Sequence, residues 1–526
     1  MDKSIIHKLV LFIAAICTTF SVSAYDFEVD GIYYNKISDT SVEVTHDGSY
    51  NNTGAGYSGV VIIPGIIEIN GITYSVCGIG IRAFSNCPAL TSVTIPDGVT
   101  SIGGNAFLGC TGLTSIFIPD GVTSISIGAF MSCTSLTEII INENNPNYAS
   151  IDGVLFNKTY TELMACPAGK AGIYNIPEGV ISVCDGAFYS CTGLTSVTIP
   201  GGVTSIGNLA FWGCNGLTSV SIPASVTFIG TAAFCGCSGL TSITIPEGVT
   251  SISEGTFWAC TGLTSVTIPE GVTSIGGGAF YGCTGLTSVN ISASVTSIRP
   301  FAFDGCTALN RVICFAETVP TFNHHVFDGV PTAFSIYVPS GTRSSYTSAD
   351  ELASFTIKEF GLTVTPAELT LEIGATADLT ASYTVDGTAE TETEISSVLG
   401  SEFSWSSSAE NVAAVSTSGQ VTARNAGTAE IKVATRFGNT VFATSTVNVG
   451  TSGILDVSAD GIKISAVSGK IMVENIGENQ KVSAYTTNGI CHIFQAGKDG
   501  TVEIPAETGK IYIIVVDGFA TKVLAK

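Results

Sequence analysis

Apolar and polar positions over the first two thirds of the chain recur every 23 residues. Phenylalanines stand at Phe84, Phe107, Phe130, Phe188, Phe211, Phe234, Phe257, Phe280 and Phe303. A cysteine follows three residues after each, at Cys87, Cys110, Cys133, Cys191, Cys214, Cys237, Cys260, Cys283 and Cys306. One unit, LTSITIPEGVTSISEGTFWAC over 240–260, is nearly repeated by LTSVTIPEGVTSIGGGAFYGC over 263–283. A period of about 20 to 30 residues with an L-x-x-I-x-I strand predicts a leucine-rich-repeat solenoid. In Leu113-Thr114-Ser115-Ile116-Phe117-Ile118 the alternation sends Leu113, Ile116 and Ile118 inward and Ser115 and Phe117 outward. Pro119 ends the strand, Asp120-Gly121 turns the chain, and Val122 and Ile125 return inward. A short turn or single helical coil then presents Phe130 to the core. So thin a coil cannot bury both faces alone, so the Phe and Cys columns are expected to stack as one continuous interior ladder.

The 23-residue step breaks once: Cys133 to Cys191 is 58 residues, an excess of 35. The extra stretch holds a predicted hairpin, Gly153-Val154-Leu155-Phe156 turning at Asn157-Lys158 and returning through Glu162-Leu163-Met164, and a strand-like Tyr174-Asn175-Ile176-Pro177. It reads as an expanded repeat at about 141–177. The expected organisation is a signal peptide over 1–24, a β cap over 25–59, the solenoid over 60–306 and a second cap over 307–360. From 362 the period is lost, and short alternating strands such as Phe403-Ser404-Trp405 and Thr428-Ala429-Glu430-Ile431 predict a β-sandwich over 362–448. A last small all-β module is expected over 453–526. The fold class is therefore mainly β throughout.

Composition narrows what such a surface can do. The chain carries 20 Lys plus Arg against 43 Asp plus Glu, a formal charge of −23, so nucleic acid and anionic membrane are excluded as partners. Charged residues make up only 12% and the mean hydropathy is +0.43, so Ser, Thr, Asn and Gly carry the solubility. The N-terminus, MDKSIIHKLVLFIAAICTTFSVSA, has the basic start, apolar run and small-residue exit of a cleaved secretory signal, with the mature chain expected to begin at Tyr25. Ile16 before Cys17 fits a lipoprotein signal poorly, and no second apolar run follows to span a membrane. A secreted or cell-surface, monomeric protein is expected.

Removing the signal leaves 15 cysteines, an odd number, so at least one is free or intermolecular. The column reads as buried thiols acting as small hydrophobes and turn donors, although neighbours about 5 Å apart would also lie within disulfide reach. Cys235-x-Cys237 lacks the second pair a structural zinc site needs, and His324, His325, Asp328 and Glu317 are poorly placed for a metal. No H-E-x-x-H, G-x-S-x-G or Walker-type loop occurs, so neither an enzyme nor a cofactor is expected.

Binding candidates lie in two rows. On the strand face Ser196, Ser219, Ser242, Ser265 and Ser288 form one column, and Thr198, Ser221, Thr244, Thr267 and Asn290 another, with Phe117 standing out among the outward positions. The second row follows the buried Phe: Leu108, Met131, Tyr189, Trp212, Trp258 and Tyr281, interrupted by Cys235. These rings either stack between successive coils or form a docking stripe for protein or glycan. Acids after each Ile-Pro pair, Asp97, Asp120, Glu178, Glu247 and Glu270, leave one edge anionic: a solvated edge, a weak calcium site, or a field steering a basic partner.

The unit IPxxVTSIGxxAFxxCxxLTSV, as in Ile199-Pro200 through Val220, resembles the BspA-like family of leucine-rich-repeat surface proteins of Bacteroidota and some mucosal protists. The opening Asp26-Phe27-Glu28-Val29-Asp30-Gly31-Ile32-Tyr33-Tyr34 and the insert Ser150-Ile151-Asp152-Gly153-Val154-Leu155-Phe156 are similar to that family as well, so the resemblance covers about 25–355. Residues 362–448 resemble a group 2 bacterial immunoglobulin-like domain through Trp405 and Gly427-Thr428-Ala429. Gly509-Lys510-Ile511-Tyr512 and Lys522-Val523-Leu524 resemble C-terminal secretion or sorting modules of Bacteroidota. The resemblance implies surface display and adhesion to host proteins or other cells, with a non-catalytic glycan-binding or envelope-structural protein as the alternative. It carries over no ligand-contact residues.

Overall fold

The computed structural model describes residues 25–48, 56–389, 395–399, 403–435, 441–450, 454–455, 462–467, 469–507, 510–516 and 518–524. The expected signal peptide lies outside them. They group into two compact units, one reaching Val338 and including Thr342–Lys358, the other Pro339–Gly341 with Glu359 onward.

In the first unit the regular coils build three ladders, of which the two strand ladders are interrupted between the coils of Phe234 and Phe257. The Leu-Thr-Ser segments pair in parallel, for example Ser115–Ile118 with Glu138–Ile141 and Ser265–Ile268 with Ser288–Ile291. The Thr-Ser-Ile segments form two-residue strands, such as Ser251–Ile252, Ser274–Ile275 and Ser297–Ile298, again parallel and in register. On the third side there is no helix. The chain makes tight turns that place two residues per coil at positive φ, as at Leu209 (55°) and Gly213 (71°), or Phe301 (62°) and Gly305 (72°). Those turns join the coils through the backbone: Phe211 N–H donates to the Ala233 carbonyl at 2.7 Å and Phe234 N–H to Thr256 at 2.8 Å. Threonine hydroxyls close the gaps, Thr218 donating to the Thr195 carbonyl at 3.0 Å and Thr273 to Thr250 at 3.2 Å.

The Phe rings lie face to face between coils. Centroid separations are 5.0 Å for Phe211–Phe234, 5.6 Å for Phe234–Phe257 and 5.2 Å for Phe257–Phe280, with interplanar angles of 2°, 10° and 15°. Each ladder thiol reaches back to the preceding coil. Cys214, Cys237, Cys260 and Cys283 donate to the carbonyls of Phe188, Phe211, Phe234 and Phe257, all at 3.1 Å, and Cys110 and Cys133 reach Phe84 and Phe107 at 3.0 Å. The column is thus more than filler: each S–H adds a coil-to-coil hydrogen bond, and the Phe188, Phe211, Phe234 and Phe257 carbonyls also accept the N–H of the Cys three residues on within their own turn. All 15 described cysteines are free thiols.

Burial pushes two ladder thiols up, Cys306 from 9.0 to about 12 and Cys87 likewise to about 12. The folded state therefore holds these protons more tightly than the unfolded chain. Its advantage is complete below pH 9 and is lost as pH rises through about 12. A falling Tm over that window is expected in calorimetry. A flat profile contradicts the buried-thiol account.

The ladder is not continuous, contrary to expectation. It runs Phe84–Phe107–Phe130 and resumes at Phe188, which meets Tyr174 at a tilt of 59°. The expanded repeat is the cause. Tyr148–Ile151, Val154–Asn157 and Glu162–Ala165 form an antiparallel meander, with Glu162–Ala165 rejoining the short parallel strands at Ser182–Val183. Strand alternation in Val154–Asn157 sends Leu155 into the first core and Val154 and Phe156 into the second, so one strand separates two apolar clusters. The near-identical repeat around 241–246 also lacks a strand, although Thr244 is exposed as expected.

At the N-terminal end Phe27–Val29, Ile32–Ser38 and Ser41–Thr45 form an antiparallel meander whose last strand pairs in parallel with Ile72–Ile79. The second unit contains the sandwich. Glu368–Glu372, Phe442–Gly450, Gly427–Thr435 and Phe403–Ser407 make one sheet, and Thr376–Asp378, Gln420–Ala423 and Ala413–Val415 the other. Leu379, Val421, Ile431 and Val447 fill the space between, with Trp405 packed against them. Two further four-stranded sheets enclose Ile471, Val473, Val482 and Ile514 near the C-terminus. Among the described residues no helix is long and apolar enough to cross a membrane.

Candidate functional site

The residue after each ladder Phe leaves the core sideways, because its neighbour fills the interior and the following position is held at positive φ. Tyr189, Trp212, Trp258 and Tyr281 are all half-buried there. They stack in pairs: Tyr189–Trp212 at 4.5 Å and 12°, Trp258–Tyr281 at 4.2 Å and 28°. Cys235 separates the pairs and takes a hydrogen bond from Trp212, while burial pushes its thiol up to about 11. The rings therefore stack between successive coils while staying partly exposed.

Each pair borders a hollow. Tyr189 lines one of about 350 Å³ with Met131, Met164, Cys184, Asp185 and Phe228. Trp258 and Tyr281 line another of about 400 Å³ with Glu254, Arg299, Phe301 and Asp304. Both volumes fall in the range of small-molecule sites, about 300–1,000 Å³. The four additional residues of the second hollow were not among those the sequence singled out for binding. Register was the available signal: Asp304 occupies the stripe position one coil after Tyr281. Burial and then the neighbouring Asp328 push the Asp304 carboxyl up, while His325 works the other way.

The strand-face candidates are spread out. Phe117 is 47% exposed and pairs with exposed Ile140 on the next coil, giving an apolar spot instead of a hydroxyl row. Thr198, Ser221 and Thr244 are exposed, whereas Thr267 is half-buried and accepts from Asn290 at 3.4 Å. Ser288 and Asn290 are buried, at 7% and 5%, and so leave the outward columns. Their partners on the next strand are the bulky Arg311 and Ile313, where earlier coils carry Ser and Thr.

Along the acidic edge Asp97, Asp120, Glu178, Glu247 and Glu270 are exposed, and partial burial and then Glu247 push Glu270 up. His325 Nδ1 meets Asp328 at 2.7 Å, but the His324 ring stands perpendicular to it, and no group of three or more His, Cys, Asp or Glu could hold a metal among the described residues.

These features sit in a known architecture. The BspA type leucine rich repeat region, in 6 copies, matches residues 67–169, 170–285 and 230–358, and the group 2 bacterial Ig-like domain matches 361–445. Similar solved structures include a leucine-rich repeat protein from Eubacterium ventriosum, 22% identical over 57% of this chain and 93% of that one, TM-score 0.40. A leucine rich cell surface protein from Faecalibacterium prausnitzii is 25% identical over 56% and 96%, TM-score 0.33. A leucine-rich repeat protein from Bacteroides ovatus is 24% identical over 66% and 82%, TM-score 0.35. No curated protein matches the chain. With its repeats matched across more than half of the 526 residues, this chain belongs to the BspA-type leucine-rich-repeat family.

Proposed function

We propose that this chain is an extracellular or cell-surface binding protein that adheres to a protein or glycan outside the cell through the aromatic stripe of its solenoid. Family membership points to a leucine-rich-repeat protein of the surface and adhesion type. The observation that carries the stripe is the two stacked ring pairs, Tyr189–Trp212 and Trp258–Tyr281, each beside a hollow on an otherwise hydroxyl-rich, rigid ladder. Aromatic side chains fixed before binding lose little conformational freedom on contact, which is why they dominate binding energetics. In this reading a signal peptide exports the chain, the Ig-like domain is a spacer, and the C-terminal module serves sorting or attachment.

The test is binding of the purified full chain to arrays of extracellular-matrix proteins and glycans. Binding is expected, with the Trp212→Ala, Trp258→Ala double variant weaker by about 2 kcal/mol or more, the size of a hot-spot loss. Unchanged binding by a folded double variant moves the site off the stripe. No binding to any arrayed ligand contradicts adhesion.

A further inference from the structure

We infer that the hollow beside Trp258 and Tyr281 is a saccharide subsite, which takes one ring of a neutral glycan against the aromatic pair and holds its hydroxyls through Glu254, Asp304 and Arg299. The inference rests on the reading of the chain as a surface binding protein and deepens it at one site.

The ring stack ends here. Trp258 and Tyr281 lie at 4.2 Å, and the corresponding position of the next coil is the short, polar Asp304. Where the row would continue, a hollow of about 400 Å³ opens instead, bordered by both rings and by Phe301. Gly276, Gly277 and Gly278 also line it, so peptide groups are bare of side chains there. A Cβ on Gly278 would stand 3.0 Å from the Trp258 ring, tighter than ordinary contact. Phe301 occupies a left-handed position, φ 62°, where the two preceding coils have Gly255 and Gly278. Its ring is fixed by stacking on His325 at 5.3 Å and 8°.

A pyranose has an apolar C–H face and a rim of hydroxyls, each both donor and acceptor. This hollow offers the matching set: aromatic surface, two carboxylates that accept, and one guanidinium that donates. Two carboxylates against one Arg, on a chain of net charge −23, disfavour sulfated or uronate-rich glycans. The concavity also suits a small ring better than the flat contact typical of protein partners.

The test is calorimetric titration of the full chain with soluble neutral probes: maltohexaose, cellohexaose, xylohexaose, mannohexaose and N-acetylchitohexaose, with a heparin hexasaccharide as the anionic arm. At least one neutral probe is expected to bind more tightly than the heparin probe. Binding should weaken about tenfold or more in Trp258→Ala and in the near-isosteric Asp304→Asn, which keeps the wild-type Tm. Glu178→Gln, on the acidic edge, should leave binding unchanged. The subsite is overturned if no neutral probe binds, if the heparin probe binds best, or if binding survives in folded Asp304→Asn and Trp258→Ala. A chain that binds arrayed matrix proteins through Trp258 but none of these saccharides retains the adhesive function and loses this inference.

Discussion

Replacing Phe234 with alanine is expected to cost about 3–5 kcal/mol, the range for removing a fully buried phenylalanine. The residue is 0% exposed and sandwiched between Phe211 at 5.0 Å and Phe257 at 5.6 Å. Its removal opens a cavity facing both neighbours, and the turn hydrogen bonds on either side, Phe211 N–H to Ala233 and Phe234 N–H to Thr256, hold the coils at their spacing over it. Stability in stacked repeats is the sum of each unit and its interfaces, so one residue weakens two interfaces together. Denaturant unfolding of the solenoid followed by circular dichroism measures the loss. A cost below about 1 kcal/mol would place Phe234 at the surface and contradict the stack.

Gly239→Ala carries the second large effect, for a reason that has nothing to do with φ. A Cβ there would stand 2.5 Å from the Asn215 carbonyl oxygen and 3.1 Å from that of Leu217, both backbone of the preceding coil. Gly112 and Gly262 meet the same obstacle at 2.5 Å, from Pro88 and Ser238. Backbone cannot rotate aside as a side chain can, so the coils must separate locally, at a cost of about 1–3 kcal/mol or more. Gly201 is the internal control, because a Cβ there meets nothing within 4 Å. Gly201→Ala is expected to be neutral or to stabilise by up to about 1 kcal/mol through the unfolded chain. Thermal melts of the two variants should therefore move apart. Equal shifts would mean the coils are not packed this closely.

Much of this architecture could be read from the residues, because a repeat writes its own geometry. The 23-residue step and the alternation in Leu113–Ile118 placed the interior residues correctly, and Phe211, Phe234 and Phe257 do lie one above another. The hairpin in the expanded repeat was visible in Gly153-Val154-Leu155-Phe156 and its return. What it does to the core was not: the division depends on Leu155 and Phe156 facing opposite ways into two clusters, which a local pattern cannot show. The thiols were legible as donors but their acceptors were not, since donor and acceptor lie 26 residues apart, one period plus the Phe-to-Cys offset. The stripe was legible as a row of rings. Its hollows were not, because a hollow is set by what is small or absent in the next coil, Asp304 after Tyr281 and the glycines at 276–278. Ser288 and Asn290 misled for the same reason, their exposure being decided by Arg311 and Ile313 on the adjacent strand.

Every surface inferred here depends on successive coils rising in register. Thr204 and Thr296 are both exposed and lie four periods apart on the short-strand face, so nitroxide labels on cysteines placed there report the rise directly in electron double resonance. A background with Cys77, Cys184, Cys235 and Cys491 each changed to Ser removes the exposed thiol of Cys491 and the half-buried thiols of the other three. Four steps of parallel-strand spacing predict a narrow distribution centred near about 19 Å, before allowance for the label arms. A broad distribution, or a centre beyond about 35 Å, would contradict coils stacked at that spacing.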